Sequence, residues 1–185
     1  IEPNPVRRWP ATAFPVPTML ASTWNPELVE AVGRAMGEEA RDYGIGVFLA
    51  PGINIHRHPL CGRNFEYFSE DPLLAGKIAV AYVKGVQSVG VAATPKHFAT
   101  NEQETKRATV DTIVDERTLR EIYLKPFEIV VKEAKPWAIM SSYNKLNGKY
   151  ASQNEWLLTK VLREEWGFDG IVMSDWGAGD NPIEQ

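Results

Sequence analysis

Four segments of the chain place apolar residues at the i, i+3, i+4 and i+7 spacing of an amphipathic helix. Each segment follows a side chain that can cap a first helical turn, at Asn25, Asp71, Asp115 or Asn154. Three of the predicted helices are expected to end at glycines, namely Gly44, Gly90 and Gly167. Pro126 falls inside the third pattern and is predicted to kink or divide that helix, because proline removes a hydrogen bond and crowds the preceding turn.

Short apolar runs separate the helices, and they are continuous rather than alternating, as expected for parallel strands covered on both faces. The predicted strands span residues 46–50, 91–94, 137–141 and 170–173, with an earlier strand expected at 17–21. Strand and helix therefore alternate along the chain. This alternation predicts an α/β fold with a parallel sheet.

The connections between these elements are unequal in length. Helix-to-strand connections span a few residues, whereas the segments after the strands are long, for example from 51 to 71. A (β/α)8 TIM-type barrel builds its active site from those post-strand loops, although an open doubly wound sheet remains an alternative. Four βα units and a leading strand fall short of the eight that close a barrel. Residues 1–185, which start without Met and without a signal peptide, are therefore interpreted as part of a larger barrel.

Composition narrows the classes of function. The chain of 185 residues has a net charge of -4 and no run of Lys and Arg, which argues against a nucleic-acid partner. No apolar stretch approaches the ~20 residues that span a bilayer, so no membrane partner is expected. His56 and His58 lack a matching cluster of metal ligands, and no glycine-rich phosphate loop is present. We therefore expect neither a metal nor a cofactor, and the single cysteine, Cys61, excludes a disulfide within the chain.

Polar side chains stand at the predicted ends of four successive strands. They are Arg63, Lys96, His97, Tyr143 and Asp175, and Trp176 follows the last of them. Because the carboxyl ends of barrel strands meet at one face, these side chains are expected to surround one ligand. Their donors and their carboxylate suit a polyhydroxylated molecule, and Trp176 would offer a platform for stacking a sugar ring.

Each of these residues also has an ordinary structural explanation. Asp175 can cap a following helix, and Arg63 can form an ion pair with a nearby carboxylate such as Glu66. A lone histidine such as His97 is usually a core residue with satisfied hydrogen bonds. Tyr143 can be an aromatic cap whose hydroxyl lies in water.

Five motifs occur in order along nearly the whole chain. They are Leu49-Ala50-Pro51-Gly52-Ile53-Asn54-Ile55, Gly62-Arg63-Asn64-Phe65-Glu66 with Ser69-Glu70-Asp71-Pro72, Lys96-His97-Phe98 with residues 101–107, Ser142-Tyr143-Asn144, and Ser174-Asp175-Trp176. In this order they resemble glycoside hydrolase family three, specifically its β-glucosidases. The resemblance implies a retaining exo-glycosidase whose first domain is a (β/α) barrel and whose second is an α/β sandwich. It also implies Asp175 as the nucleophile, with a subsite for the non-reducing sugar lined by Arg63, Lys96, His97, Arg107 and Tyr143.

Retention requires two carboxyl groups ~5 to 5.5 Å apart, one attacking the anomeric carbon and one protonating the leaving oxygen. The resemblance implies that the second, a Glu, lies on the sandwich domain, so the isolated chain is expected to be inactive or very weak. Candidate substitutes within the chain are Glu66, Glu102 and Glu104. An acidic sugar-binding residue that the family usually carries before the first motif has no match in residues 1–10.

The leading hypothesis is hydrolysis of terminal non-reducing β-D-glucosyl residues. The Pro-Gly-His sequence of the family's β-N-acetylglucosaminidases is missing after Lys96-His97-Phe98, which favours the glucosidase branch. A β-xylosidase, or another member with a different sugar preference, is an alternative. A non-catalytic carbohydrate-binding fragment is a further one. Lys96 also permits a Schiff-base lyase, because a barrel lysine can condense with a carbonyl substrate.

Overall fold

The structure of the protein, a computed structural model, describes residues 10–178. Its helices are α1 (Pro17–Ser22), α2 (Pro26–Asp42), α3 (Pro72–Gln87), α4 (Glu116–Thr118) and α5 (Lys125–Ala134), with π-helical segments at Leu119–Tyr123 and Trp156–Glu165 and 3-10 turns at Asn64–Glu66 and Ala151–Gln153. Its strands are β1 (Val47–Phe48), β2 (Ala92–Ala93), β3 (Asp111–Thr112), β4 (Ala138–Ser141), β5 (Lys145–Leu146), β6 (Lys149–Tyr150) and β7 (Ile171–Ser174). The expectations about a signal peptide and a sugar-binding motif at the start of the chain fall almost wholly on residues 1–9, outside the described range.

Four parallel strands lie side by side in chain order. β1 pairs with β2, and β4 pairs with β7. The backbone after β2 joins the two pairs, because Lys96 bridges to Gly52 and Phe98 bridges to Ser141. The order β1-β2-β4-β7 brings the carboxyl ends of all four strands to one edge. The predicted α/β fold with a parallel sheet is therefore confirmed.

The helices begin at the predicted capping residues. Their side-chain oxygens accept the backbone N–H three positions later, at Asn25, Asp71, Asp115 and Asn154. The predicted terminators have positive φ angles, which glycine tolerates best: Gly44 (+73°), Gly90 (+84°) and Gly167 (+74°). Pro126 lies in the first turn of α5, directly after a π-helical segment, so the third helix is divided there as predicted.

Glycines allow α2 and α3 to pack backbone against backbone behind β1 and β2. A Cβ atom on Gly33 would lie 2.6 Å from the carbonyl oxygen of Tyr82. A Cβ atom on Gly85 would overlap the backbone of Glu30 and come within 2.7 Å of the Arg34 nitrogen. Any side chain at either position would therefore push the two helices apart. Their close contact fixes the helical layer on which the strands rest.

The strand predicted at residues 17–21 is wrong, because this segment forms α1. Pro17 occupies the first helical turn, where its fixed backbone angle is already that of a helix. The carbonyl of Val16 accepts hydrogen bonds from the N–H groups of Met19 and Leu20. Leu20 is buried whereas Met19 is 60% exposed, so the run is covered on one side only. A short apolar run with a leading proline fits one buried helical face equally well.

A small sheet that the hydrophobic pattern did not predict ties two post-strand loops together. β3 pairs in parallel with β5, and β5 pairs antiparallel with β6. Two-residue strands carry too few positions to show any periodicity. The sheet joins the loop after β2 to the loop after β4, and these two loops carry Arg107 and Tyr143.

The hydrophobic core lies between the parallel strands and the helices. Phe98 is fully buried, with ring centroids 5.0 Å from Phe127 and 5.9 Å from Trp166. Because successive side chains of an extended segment project to opposite sides, the neighbouring His97 points away from this core. Within residues 10–178, no helix combines the length and apolar character that crossing a membrane requires.

Candidate active site at the carboxyl ends of the strands

Asp175 is the first residue beyond β7, and the sheet still holds its backbone. Its N–H donates to the carbonyl of Ser141 at 3.1 Å. The side chain is buried, and its Oδ1 accepts the N–H of Trp176 at 2.8 Å. The second oxygen, Oδ2, lies 3.6 Å from Nε2 of His97. Asp175 therefore presents one carboxylate oxygen to the polar groups of the neighbouring strand ends.

Arg63 forms the predicted ion pair and also lies in the strand-end cluster. Its Nε and Nη2 each donate to the Glu66 carboxylate at 2.8 Å, and Nη2 lies 3.0 Å from Nε2 of His97. Burial alone would raise the pKa of Glu66, but the hydrogen bond from Arg63 and the charge of Lys96 lower it. Glu66 therefore stays ionised and anchors the guanidinium group beside His97.

Lys96 also forms an ion pair with the Glu66 carboxylate. Its Nζ lies 3.2 Å from Oε1 of Glu66, and its side chain is only 17% exposed. Its charge is therefore engaged by a carboxylate, whereas a Schiff-base lysine is activated by an apolar pocket or a second cation. This geometry gives no support to the lyase hypothesis.

His97 is both a buried, hydrogen-bonded histidine and a neighbour of the candidate nucleophile. Burial, reinforced by the positive charges of Arg63, Lys96 and Arg107, lowers its pKa to about 2. The ring is therefore neutral at ordinary pH. Its 3.6 Å approach to Asp175 is consequently not an ion pair.

Two buried residues of the site, Asn54 and Glu102, support His97, and the sequence did not predict this role. Asn54 bonds to both backbone groups of His97 and to Oε1 of Glu102. From the sequence, Glu102 is a candidate only for a substitute acid, and Asn54 belongs only to a motif. The single available signal was that Asn54 follows the end of the strand predicted at residues 46–50.

The other side of Asp175 is formed by Tyr143 and Arg107. Tyr143 is half-buried, and burial together with the negative charge of Asp175 raises the pKa of its phenol. The guanidinium carbon of Arg107 lies 4.6 Å from the centre of the Tyr143 ring, within range of a cation–π contact. Arg107 Nη1 donates to Glu104 at 2.8 Å. Glu104 thus anchors Arg107 as Glu66 anchors Arg63.

Trp176 is the exposed neighbour of Asp175 in the chain. It directly follows Asp175 and is 76% exposed. An exposed indole beside a buried carboxylate could stack on a sugar ring entering from solvent.

No group of three or more potential metal ligands is present among residues 10–178. Neutral His97 lies beside one oxygen of Asp175 and contacts Arg63, which shares the ionised Glu66 with Lys96. This arrangement can bind hydroxyl groups from several directions and place an electrophilic carbon against Asp175. Trp176 would then cover the ligand from the solvent side.

Comparisons with known proteins point to the same architecture. Residues 5–182 match the family described as "Glycosyl hydrolase family 3 N terminal domain". Thermostable beta-glucosidase B of Acetivibrio thermocellus is 61% identical over 94% of this chain and 23% of its own length. Exo-alpha-(1->6)-L-arabinopyranosidase of Bifidobacterium longum is 60% identical over 91% of this chain and 22% of its own length.

A solved structure of beta-glucosidase 3B from Thermotoga neapolitana in complex with alpha-D-glucose superposes with a TM-score of 0.93 and 72% identity. The match covers 94% of this chain and 24% of that chain. The predicted barrel fold is therefore confirmed, and the chain spans about a quarter of the proteins it matches.

Proposed function

Since the chain belongs to glycoside hydrolase family 3, we propose that it carries the nucleophile of a retaining, exo-acting β-glucosidase, with Asp175 attacking the anomeric carbon. The observation that carries this proposal is the position of Asp175: a buried carboxylate at a strand end, with one oxygen 3.6 Å from Nε2 of His97. Residues 1–185 would then form part of the catalytic barrel. The family itself agrees with the resemblance seen in the motifs.

The proposed reaction has two steps. An oxygen of Asp175 bonds to the anomeric carbon as the aglycone oxygen leaves with a proton from an acid, giving a covalent glycosyl-enzyme. Water, deprotonated by the same group, then attacks that carbon and releases Asp175 and the sugar with its original configuration. Tyr143 would hold the carboxylate in place between the two steps.

The remaining cluster is proposed to hold the hydroxyl groups of the non-reducing sugar. Arg63 and Lys96 offer charged donors, and His97 offers a neutral ring. The guanidinium group of Arg107 lies over the Tyr143 ring. Such charged donors form shorter and stronger hydrogen bonds to oxygen than neutral ones do. Trp176 would stack on the substrate at the open side.

The general acid is proposed to come from a sandwich domain of the parent protein. Glu66 is bound on both oxygens by Arg63 and Lys96, and its lowered pKa leaves no proton to donate. Glu102 is only 2% exposed and bonded to Asn54, so it has no path to a leaving group. Glu104 is bound by Arg107. All three glutamates are held by hydrogen bonds or ion pairs, which favours a general acid from outside this chain.

A second sugar preference has a specific observation in its favour. A relative that is 60% identical bears the name of an α-L-arabinopyranosidase rather than a glucosidase. The ratio of kcat/KM for 4-nitrophenyl β-D-glucoside to that for 4-nitrophenyl α-L-arabinopyranoside in the complete enzyme distinguishes the two. A ratio above one supports β-glucosidase, and a ratio below one supports the arabinosidase.

Covalent labelling tests the nucleophile. A 2-deoxy-2-fluoro-β-D-glucoside with a good leaving group should inactivate the complete enzyme and add one fluoroglucosyl mass to the peptide containing Asp175. The matched control is Asp169→Asn, since Asp169 is exposed and lies before the same strand, at its opposite end. Labelling should persist in that control and disappear in Asp175→Asn. A label on any other carboxylate would overturn the assignment.

A further inference from the structure

Three contacts fix the orientation of the Asn54 side chain against His97. Its Nδ2 donates to the His97 carbonyl at 3.0 Å, and its Oδ1 accepts the His97 backbone N–H at 2.7 Å. A carbonyl accepts only and a backbone N–H donates only, so the amide cannot be turned over. The same Oδ1 lies 3.3 Å from ring atom Nδ1 of His97. An oxygen that only accepts therefore faces Nδ1.

Two other neighbours of the ring agree with this assignment. The Tyr67 hydroxyl lies 3.3 Å from Nδ1 and 3.4 Å from the carbonyl of Asn101. Because that carbonyl takes the phenolic proton, the phenol oxygen is left to accept from Nδ1. On the far side, Nη2 of Arg63 lies 3.0 Å from Nε2, and a guanidinium group only donates. The proton of the neutral ring is thus directed to Nδ1 and the lone pair to Nε2.

Glu102 holds Asn54 in place from behind. Its Oε1 accepts from Asn54 Nδ2 at 3.2 Å, using the second N–H of that amide. Burial raises the pKa of the Glu102 carboxyl group to about 7, and the hydrogen bond from Asn54 opposes this rise. Both residues are almost fully buried, at 1% and 2% exposure, so water cannot replace these bonds.

We propose that Asn54 and Glu102 are positioning residues that hold His97 in its Nδ1–H tautomer, so that Nε2 is an acceptor in the sugar site. In this arrangement Nε2 takes a hydrogen bond from Arg63 or from a sugar hydroxyl, and it donates none to Asp175. The statement about the sugar rests on the proposed glycosidase function. The statement about the tautomer does not, because it follows from the contacts of the free protein.

The tautomer can be measured directly. Two-dimensional 1H–15N spectra of the complete enzyme labelled with 15N-histidine, assigned by loss of the signal in His97→Gln, report which ring nitrogen carries the proton. A protonated Nδ1 and a bare Nε2 between pH 6 and 8 are expected. A proton on Nε2, or a doubly protonated ring, would overturn the proposal.

The role of Glu102 is tested by Glu102→Gln. Glutamine has nearly the same size, but it carries one acceptor oxygen where the carboxyl group carries two. We expect kcat/KM for a β-glucoside to fall roughly 10- to 100-fold, because small misplacements of a binding group are costly. The His97 spectrum should also shift towards a mixture of tautomers. The control is Glu133→Gln, which removes an exposed carboxylate paired with Lys77 and should change neither.

A double-mutant cycle separates positioning from general destabilisation. Added to His97→Gln, the Glu102→Gln change should lower kcat/KM by less than about 2-fold, because the ring that it positions is already gone. An equal loss in both backgrounds would show that Glu102 acts elsewhere and would overturn the proposal. If the unmodified enzyme hydrolyses no glycoside, the proposed function fails, while the wild-type spectrum still decides the tautomer.

Discussion

The candidate site has a buried half and an exposed half, which differ in how strongly their polar groups are shielded from water. In the buried half, His97, Glu102 and Asp175 are each at most 5% exposed, and burial lowers the pKa of His97 but raises that of Glu102. In the exposed half, Tyr143 is half-buried and Trp176 is 76% exposed. The two halves meet at Asp175, which neighbours residues of both.

The contrast shows where a substitution should matter. A buried polar group cannot exchange a lost partner for water, so removing one partner leaves the other with an uncompensated desolvation cost. An exposed group can take up water in place of a lost contact. The buried half should therefore govern catalysis and stability together, whereas the exposed half should adjust substrate affinity.

The largest expected effect is that of Asp175→Ala in the complete enzyme. Removing the attacking oxygen should lower kcat for a β-glucoside by roughly 10³-fold or more, because no other group can form the covalent intermediate. Added azide can enter the vacated space and attack the same face of the sugar. The rescued product should then be the α-glucosyl azide, identified by NMR. Full activity of the variant, or a β-configured azide product, would contradict a nucleophilic role.

Two opposed pH dependences are expected inside the buried half. The pKa of Glu102 is raised by burial from 4.5 to about 7, so its contribution to stability is present below 4.5 and lost as pH rises through 7. The pKa of His97 is lowered by burial from 6.5 to about 2, so its contribution is present above 6.5 and lost as pH falls towards 2. Between pH 4.5 and 6.5, the contribution of Glu102 to stability therefore falls with rising pH, whereas that of His97 increases.

Single variants should show the contribution of each residue to the pH dependence of stability. From pH 4.5 to 6.5, the free energy of unfolding should rise relative to wild type by about 2 kcal/mol in Glu102→Gln and fall by about 2 kcal/mol in His97→Gln. Urea titrations at several pH values measure both changes. Parallel pH profiles for wild type and both variants would show that neither group is desolvated as the structure indicates. Glu133→Gln, at an exposed carboxylate, should follow wild type throughout.

A smaller loss is expected for Arg63→Lys. Lysine keeps the charge, but it cannot bond Glu66 through two nitrogens and reach His97 with the same group. Losing one charge-assisted hydrogen bond costs about 2 kcal/mol, so kcat/KM should fall roughly 30-fold in steady-state assays. Arg34→Lys tests the same change in an exposed pair with Glu38 and should leave kcat/KM unaltered. Equal effects at both positions would remove the distinction between buried and exposed partners.

Local sequence signals predicted most of the fold. The caps at Asn25 and Asp71 and the stop at Gly44 depend on residues within a few positions, so their chemistry is visible in the sequence. The segment at Pro17–Ser22 was assigned wrongly because five residues do not distinguish a buried strand from one helical face. Pairings such as β3 with β5 depend on contacts between distant loops, for which neither segment carries a pattern.

The same distinction between local signals and long-range contacts applies to the residues of the site. Asp175 and Lys96 could be selected from the sequence because they stand at the ends of apolar runs that the barrel brings to one face. Asn54 and Glu102 could not be paired, because they are 48 positions apart and their types are common in exposed loops. Only the folded chain buries them and joins them to His97. Supporting residues of this kind are recognised from three-dimensional contacts rather than from spacing.

The smallest effect is expected at the exposed edge, for Trp176→Ala. Stacking of an exposed indole on a sugar is expected to contribute about 1 kcal/mol, comparable to an aromatic pair, so KM should rise roughly 5-fold with little change in kcat. Steady-state kinetics with a series of β-glucosides measure this split. Trp24→Ala removes another indole, 74% exposed, from the turn between α1 and α2 and serves as the matched control. A loss in kcat as large as that of Arg63→Lys would mean that Trp176 orders the neighbouring Asp175, and the exposed half would then share in catalysis itself.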